Sequence, residues 1–243
     1  SSDGREMMSG TGVYAQKIAA GEIQWDEECV LVLDSDGDDT LKDIVENFYI
    51  IQNGLWNDLN IVVQKLNEDG NIAEGWPIDG LVICDAPGNQ NNPQCLMIPE
   101  GLLIVWEDYR NGDSDIYAQL MDRAGNFLWQ ATGVPLVQAD SDQYDFSITY
   151  DNDLYLAWAV YLNDENSDVF AQKFNLSAEP QWEETGVLIA EQMGRQRNPN
   201  IIHRNYPNHE TVVFWSNLTD GNSDLYSQTI NETGELGNSI EGE

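Results

Sequence analysis

The apolar positions of this chain come in short bursts. Runs of four to six residues, rich in β-branched and aromatic side chains, are bounded by Gly, Asn, Asp and Pro, and no window sustains a helical period. Such runs predict strands. LLIVW, ending at Trp106, and LYLAW, ending at Trp158, are apolar at nearly every position, so both faces of these strands are expected to be buried. IYAQL and VFAQK likewise place apolar groups on both alternating faces.

The bursts recur in a fixed order. VYAQ at 13–16, IVVQ at 61–64, IYAQ at 116–119, VFAQ at 169–172 and LYSQ at 225–228 lie 48, 55, 53 and 56 residues apart. Upstream stands an apolar run that ends in Trp106, Trp158 or Trp215, then a turn such as RNGDSD, NDENSD or TDGNSD. Downstream come a glycine turn (Gly70, Gly125, Gly234), a tryptophan (Trp25, Trp76, Trp129, Trp182) and a last short strand such as GVPLV or GVLIA. Self-similarity at about 50 residues with four strands per unit predicts an all-β fold, a β-propeller of four-stranded antiparallel blades. A β-sandwich is the rival, but sandwiches seldom repeat their own sequence so regularly.

Counted from the YAQ strand, the units run 13–60, 61–115, 116–168 and 169–224, with a partial unit at 225–243, all in a single propeller domain or segment. Both ends carry the same half of a unit, which gives about four complete blades plus a half-blade. A half-blade leaves an open edge. The expectation is that a longer parent chain holds the missing strands, or that another subunit adds them.

WEDYRNGDSDIYAQ at 106–119, followed by DRAGNFLW at 122–129, resembles the repeats of secreted bacterial β-propeller proteins, and NGDSDIY resembles the hairpin of TolB-type propellers. The first unit departs most, with FYII lacking the tryptophan and WNDLN replacing the Asp/Gly turn. The resemblance implies an extracellular or periplasmic role in binding and assembly, with no shared catalytic residues.

Charge narrows the partners. The 243 residues carry 43 Asp and Glu against 10 Lys and Arg, a formal net charge of −33. Such a surface repels nucleic acid and anionic membrane and attracts cations. With 41% hydrophobic residues and 8 Trp the chain can nevertheless bury a core. No run approaches the ~20 apolar residues of a spanning helix, so neither nucleic-acid binding nor membrane insertion is expected. The absence of an initiator Met and of a leader reads as a processed chain or part of a longer one. Cys84 and Cys95 flank a Gly/Asn/Pro-rich loop and form a candidate disulfide, with free thiols as the alternative; Cys29 is left over.

Within one sequence, what recurs in every unit reads as scaffold. The glutamines Gln16, Gln64, Gln119, Gln172 and Gln228 are expected to be buried amides tying strands or blades together. The Asp-rich hairpin turns, with Asp113 and Asp115, Asp164 and Asp168, and Asp220 and Asp224, are expected to satisfy their own backbone, with calcium as the alternative. Two features do not repeat. In LDSDGDDTLKD, the residues Asp34, Asp36 and Asp38 alternate like calcium-loop ligands, with Asp39 and Asp43 nearby. Asp39 stands where a glycine belongs, however, and Val45 where a bidentate acid belongs. The second feature, 194–210, gathers Arg195, Arg197, His203, Arg204 and His209, a basic island suited to an acidic partner or another copy of this chain.

The functional expectation is therefore a non-enzymatic extracellular module that binds a protein or carbohydrate, with calcium as a candidate cofactor. A structural subunit of an assembly joined through open blade edges is the first alternative. A propeller-type glycoside hydrolase or lyase is the second, and it calls for a pair of carboxyl groups ~5–9 Å apart.

Overall fold

The computed structural model describes residues 11–25, 29–35, 37–55, 58–163, 165–204, 209–219 and 221–241. Among them lie twenty strands. β1 (Val13–Ala15) pairs with β4 (Val30–Leu33), and the loop between them carries the hairpin β2 (Ile18–Ala19) and β3 (Glu22–Ile23). Then follow four groups of four strands, each antiparallel where its ladders are defined and called a sheet below; the last two are joined by a single parallel pairing of Ser167 with Arg195 into one eight-stranded sheet. The first holds β5 (Asp38–Val45), β6 (Phe48–Leu55), β7 (Asp58–Lys65) and β8 (Leu81–Cys84). The second holds β9 (Gln90–Ile98), β10 (Gly101–Asp108), β11 (Asp115–Met121) and β12 (Val134–Val137). The third holds β13 (Gln143–Asp151), β14 (Asp153–Asn163), β15 (Asn166–Phe174) and β16 (Val187–Ala190). The fourth holds β17 (Arg195–Arg204), β18 (Glu210–Thr219), β19 (Asn222–Ile230) and β20 (Leu236–Glu241). The chain packs as two compact units, residues 1–110 with 118–133, and residues 111–117 with 134–243.

The strands predicted to be buried on both faces are so. All eight residues of β10 and all seven of β11 are buried. The sheets are phased differently from the units counted in sequence: each begins with the strand before the Trp-ending run. The YAQ strand near the N-terminus therefore lies in the two-stranded pair, and the last YAQ strand, β19, lies in a complete sheet.

The repeated glutamines are internal ties. Gln64 Nε2 donates to the carbonyls of Pro77 and Ile78 at 3.1 Å while its Oε1 accepts from Lys65 N at 2.9 Å. Gln119 does the same with Gln130 O and Leu120 N, and Gln172 with Glu183 O and Lys173 N. Each amide binds the third strand to the segment leading into the fourth.

Sheet is joined to sheet by a tryptophan. Trp25 packs on the turn at Gly70, where an added Cβ would lie 2.9 Å from the indole, and its Nε1 donates to Glu68 O at 2.8 Å. Trp182 repeats this at Gly234, with Nε1 to Glu232 O at 3.1 Å. Gly125 faces the edge of Trp76, where an added Cβ would lie 3.4 Å from the indole. The turns are held by a side-chain oxygen three residues earlier. Asn67, Asp122, Asn175 and Asn231 each accept from two backbone N–H groups of their own turn. Gly70, Gly125 and Gly234 have φ of +84°, +92° and +87°, and the corresponding residue of the third sheet is Ala178 at +60°.

Within the second unit the backbone also bonds directly from one group of strands to the next. Gln143 N donates to Ser114 O at 2.7 Å and Ser167 N to Gly194 O at 3.4 Å, and the Ser167 side chain adds a bond from Oγ to Gln196 O at 2.7 Å.

The W-E-D-Y-R phrase makes a buried ion pair. Trp106 Nε1 donates to Asp108 Oδ2 at 2.7 Å. Arg110 closes on both carboxylate oxygens, from Nε at 2.8 Å and Nη2 at 2.6 Å, and Nη2 also donates to Thr132 O at 2.9 Å. Gly133 at φ +86° packs on the same indole, leaving no room for a Cβ.

Two substitutions test these contacts in urea unfolding. Asp108→Ala strands a buried guanidinium and an indole N–H and is expected to cost about 3–5 kcal/mol. Ala178→Gly relieves a left-handed alanine and is expected to add roughly 0.5–1 kcal/mol. A loss on Ala178→Gly would refute the strain at that turn.

Candidate functional site

The first strand of each of the last three sheets carries a repeated irregularity that sequence reading missed. Gln90, Gln143 and Gln196 are fully buried and stand 53 residues apart. Each donates from Nε2 back to the loop before its strand: Gln90 to Ala86 O and Gly88 O, Gln143 to Ser141 O, Gln196 to Gln192 O and Gly194 O. Two residues on, Asn92, Asp145 and Asn198 take left-handed conformations (φ +48°, +48° and +49°), each at a bulge where the register with the second strand slips. The signal was present as Q-x-N-P at 90–93 and 196–199. It was overlooked because these strands are polar and do not read as apolar bursts.

Opposite the buried glutamine, the second strand varies. Cα partners are Gln90 and Asp108 in the second sheet, Gln143 and Val160 in the third, and Gln196 and Asn217 in the fourth. In the second sheet the Asp108–Arg110 pair fills the space beside the indole, and Arg110 Nη2 also reaches Cys84 Sγ at 3.2 Å. In the third sheet, 52 residues on, Val160 replaces Asp108 and Leu162 replaces Arg110. The result is a slot of about 480 Å³. Its walls are Leu136, Val137, Val160 and Phe170, with Trp158, Gln143, Gln138 and Glu184 at the polar positions. Phe170 stacks on Trp158 with centroids 5.8 Å apart.

Asp168 shares a strand face with Phe170 and Gln172, two residues before Phe170, and its Cα partner is Val160 of the slot wall. Burial, then the negative charge of Glu191, holds its carboxyl above the usual aspartate range. In the second sheet the equivalent residues are Asp115 and Gln138, joined by a hydrogen bond from the amide at 3.3 Å. Replacing that amide by Glu191 turns a hydrogen-bonded pair into two competing carboxyls. A half-buried carboxyl whose pKa is raised beside a second carboxyl holds its proton more tightly than an exposed aspartate does.

The residues singled out in sequence scatter differently. Asp34 and Asp38 are exposed; Asp39 turns inward and accepts from Ser35 N, Ser35 Oγ and Asn53 Nδ2; Asp43 receives Cys95 N and Sγ at 3.1 Å. Asp36 lies outside the described residues. Among those described, no three His, Cys, Asp or Glu side chains converge as metal ligands would. Strand β5 begins at Asp38, so Asp38 and Asp39 face opposite ways. Of the basic island, Arg195, Arg197, His203 and Arg204 all lie in β17. His203 stacks on Tyr155 at 4.2 Å and meets Thr211 Oγ1 at 3.0 Å, while Arg204 is exposed. Asp164 and Asp220 lie outside the described residues, and Asp115 is buried and held by Asn111 Nδ2 at 2.8 Å.

The candidate disulfide does not form. Cys84 and Cys95 are buried free thiols whose side chains answer to different partners, Arg110 and Asp43. Burial pushes the Cys84 thiol up to about 11 and raises Cys95 further, so neither supplies thiolate near neutrality.

No protein-family model matches this sequence, and no curated protein matches it. Solved structures do. An endo-arabinase from Bacteroides thetaiotaomicron is 16% identical, with 84% of this chain and 78% of that one covered and a TM-score of 0.51. An exo-1,5-α-L-arabinanase from a bovine ruminal metagenomic library is 10% identical over 86% and 77% of the two chains, TM-score 0.49. An endo-1,4-β-xylanase from B. thetaiotaomicron is 9% identical over 84% and 76%, TM-score 0.47. The likeness to the endo-arabinase carries the fold: the chain is an all-β propeller. The expected non-enzymatic binding or assembly module is corrected by the likeness to the endo-arabinase, a structure that bears an enzyme's name. The physical reason for the misreading is plain. Regular repeats report on packing and are silent about the positions where repeats differ.

Alkylation of the native chain by iodoacetamide at pH 7.5 is expected to modify the exposed Cys29 alone, and all three cysteines after denaturation. Rapid native labelling of Cys84, read by peptide mass, would refute its burial behind Arg110.

Proposed function

We propose that this chain is a carbohydrate-active enzyme of the glycoside hydrolase type, acting on a plant-type polysaccharide such as arabinan or xylan at the third sheet. The observation that carries this reading is Asp168, whose carboxyl is held above its ordinary range by burial and by Glu191 on the strand face that continues the slot. Asp168 protonates the departing glycosidic oxygen, and Glu191 serves as the second carboxylate, acting on water or on the anomeric carbon. Phe170 and the aliphatic wall offer an apolar surface to the sugar's C–H face, and Gln138 and Glu184 offer hydrogen bonds. The likeness in fold to an endo-arabinase supports the substrate class.

Reducing-sugar release from arabinan, xylan and mannan is the test. Asp168→Asn is expected to lower kcat at least ~100-fold. Activity is expected to be retained at acidic pH and lost as pH rises through the raised pKa of Asp168. The linkage runs the same way. A carboxyl with a raised folded pKa contributes stability below its unfolded pKa and loses it as pH rises through the folded value. Asp168→Asn should therefore melt slightly higher than the parent at pH 7 while losing activity. Failure to release sugar from any of the three polymers would overturn the proposal.

A further inference from the structure

Asn-Gly occurs twice in this chain, at Asn53-Gly54 and at Asn111-Gly112. In this dipeptide the glycine nitrogen meets the least obstruction on its way to the asparagine side-chain carbon, because glycine has no Cβ and its backbone turns freely. The two copies stand in opposite surroundings. Asn53 is buried in β6, a strand paired on both sides: Asn53 lies opposite Asp39 and Asn60, and Gly54 opposite Asp38 and Leu59. The Asn53 amide donates to Ser35 Oγ, and to Asp39 Oδ1 at 2.6 Å. Asn111 and Gly112 are both exposed, in the turn before β11. Gly112 has a φ of +107°, and an added Cβ there would meet nothing within 4 Å. Among the described residues no hydrogen bond holds its N–H. One contact restrains the Asn111 side chain, from Nδ2 to Asp115 Oδ2 at 2.8 Å.

We infer that Asn111 is a site of spontaneous deamidation in the folded chain, and that Asn53 is protected from it. The Gly112 nitrogen attacks Asn111 Cγ. A Cγ–N bond forms, the Cγ–Nδ2 bond breaks, and ammonia leaves with the proton that the Gly112 nitrogen gives up. Water then opens the cyclic imide at either carbonyl and leaves aspartate or isoaspartate at position 111. Nothing is oxidised or reduced, and water is the sole co-reactant. The attack needs a peptide that can turn toward the side chain, and the ladders on both edges of β6 pin the peptide of Gly54. The product acts on a buried neighbour. Asp115 is 2% exposed, and its Oδ2 receives Asn111 Nδ2 at 2.8 Å and Gln138 Nε2 at 3.3 Å. Deamidation puts a carboxylate in place of the nearer donor, so Asp115 keeps the longer bond alone and faces a like charge. The change is one-way, and it falls on the carboxylate that opens β11.

The experiment is incubation of the intact chain at pH 8.5 and 37 °C, folded and in urea side by side, followed by peptide mass and isoaspartate detection. In urea both Asn-Gly peptides are expected to convert at comparable rates. In the folded chain the Asn111 peptide is expected to convert at least ~10-fold faster than the Asn53 peptide. Asn111→Gln lengthens the side chain past the favoured ring and is expected to abolish the signal at 111 while Asn53 behaves as in the parent. Asn111→Asp installs the product's charge directly and is expected to lower Tm at pH 7 by about 2–4 °C. Conversion of Asn53 as fast as Asn111 in the folded chain overturns the inference. So does an Asn111 peptide that stays intact when folded after its unfolded counterpart has converted. An Asn111→Asp variant that melts at or above the parent's temperature overturns the effect on Asp115.

Discussion

The fold depends on a joint between an indole and a turn. A sheet buried on both faces has no stability of its own and must lie against another. Within each compact unit, the tryptophan that follows a third strand packs on the next sheet's tight turn, and Trp25 and Trp182 also place their N–H on that turn's carbonyl. At three of the four turns the residue at this position is a glycine, with Ala178 the exception, and each turn holds its shape because an Asn or Asp three residues earlier gathers its N–H groups.

This explains what could be read from the chain and what could not. The joints are local in sequence and repeat, so four strands per unit, doubly buried runs and tying glutamines were all visible. Asp108 and Arg110 were visible as a recurring phrase, though not as an ion pair. The bulged first strands were missed because Gln90, Asn92, Asp145 and Asn198 sit in polar stretches, where hydrophobic period is silent. Asp34, Asp38, Asp39 and Asp43 looked like a ligand set because spacing in sequence was taken for convergence in space. Alternation along β5 and the inward turn of Asp39 separate them.

The candidate site lay further out of reach for a different reason. Val160, Leu162 and Glu191 are ordinary residues, and no motif contains them. They become informative only when the third sheet is laid over the second and each is seen to replace a partner: Val for the acid that held an indole proton, Leu for the arginine that filled a space, Glu for the amide that quieted an aspartate. A pattern search finds what a repeat keeps, whereas this site is written in what one repeat has given up.

Two side chains separate a filled socket from an open one, and neither belongs to the joints that hold the sheets together. The same backbone can therefore display a vacant or an occupied recess in any sheet without re-engineering its neighbours. A chain of this kind is a rack of interchangeable cartridges, in which a recess can open or fill in one sheet while the frame stays unchanged.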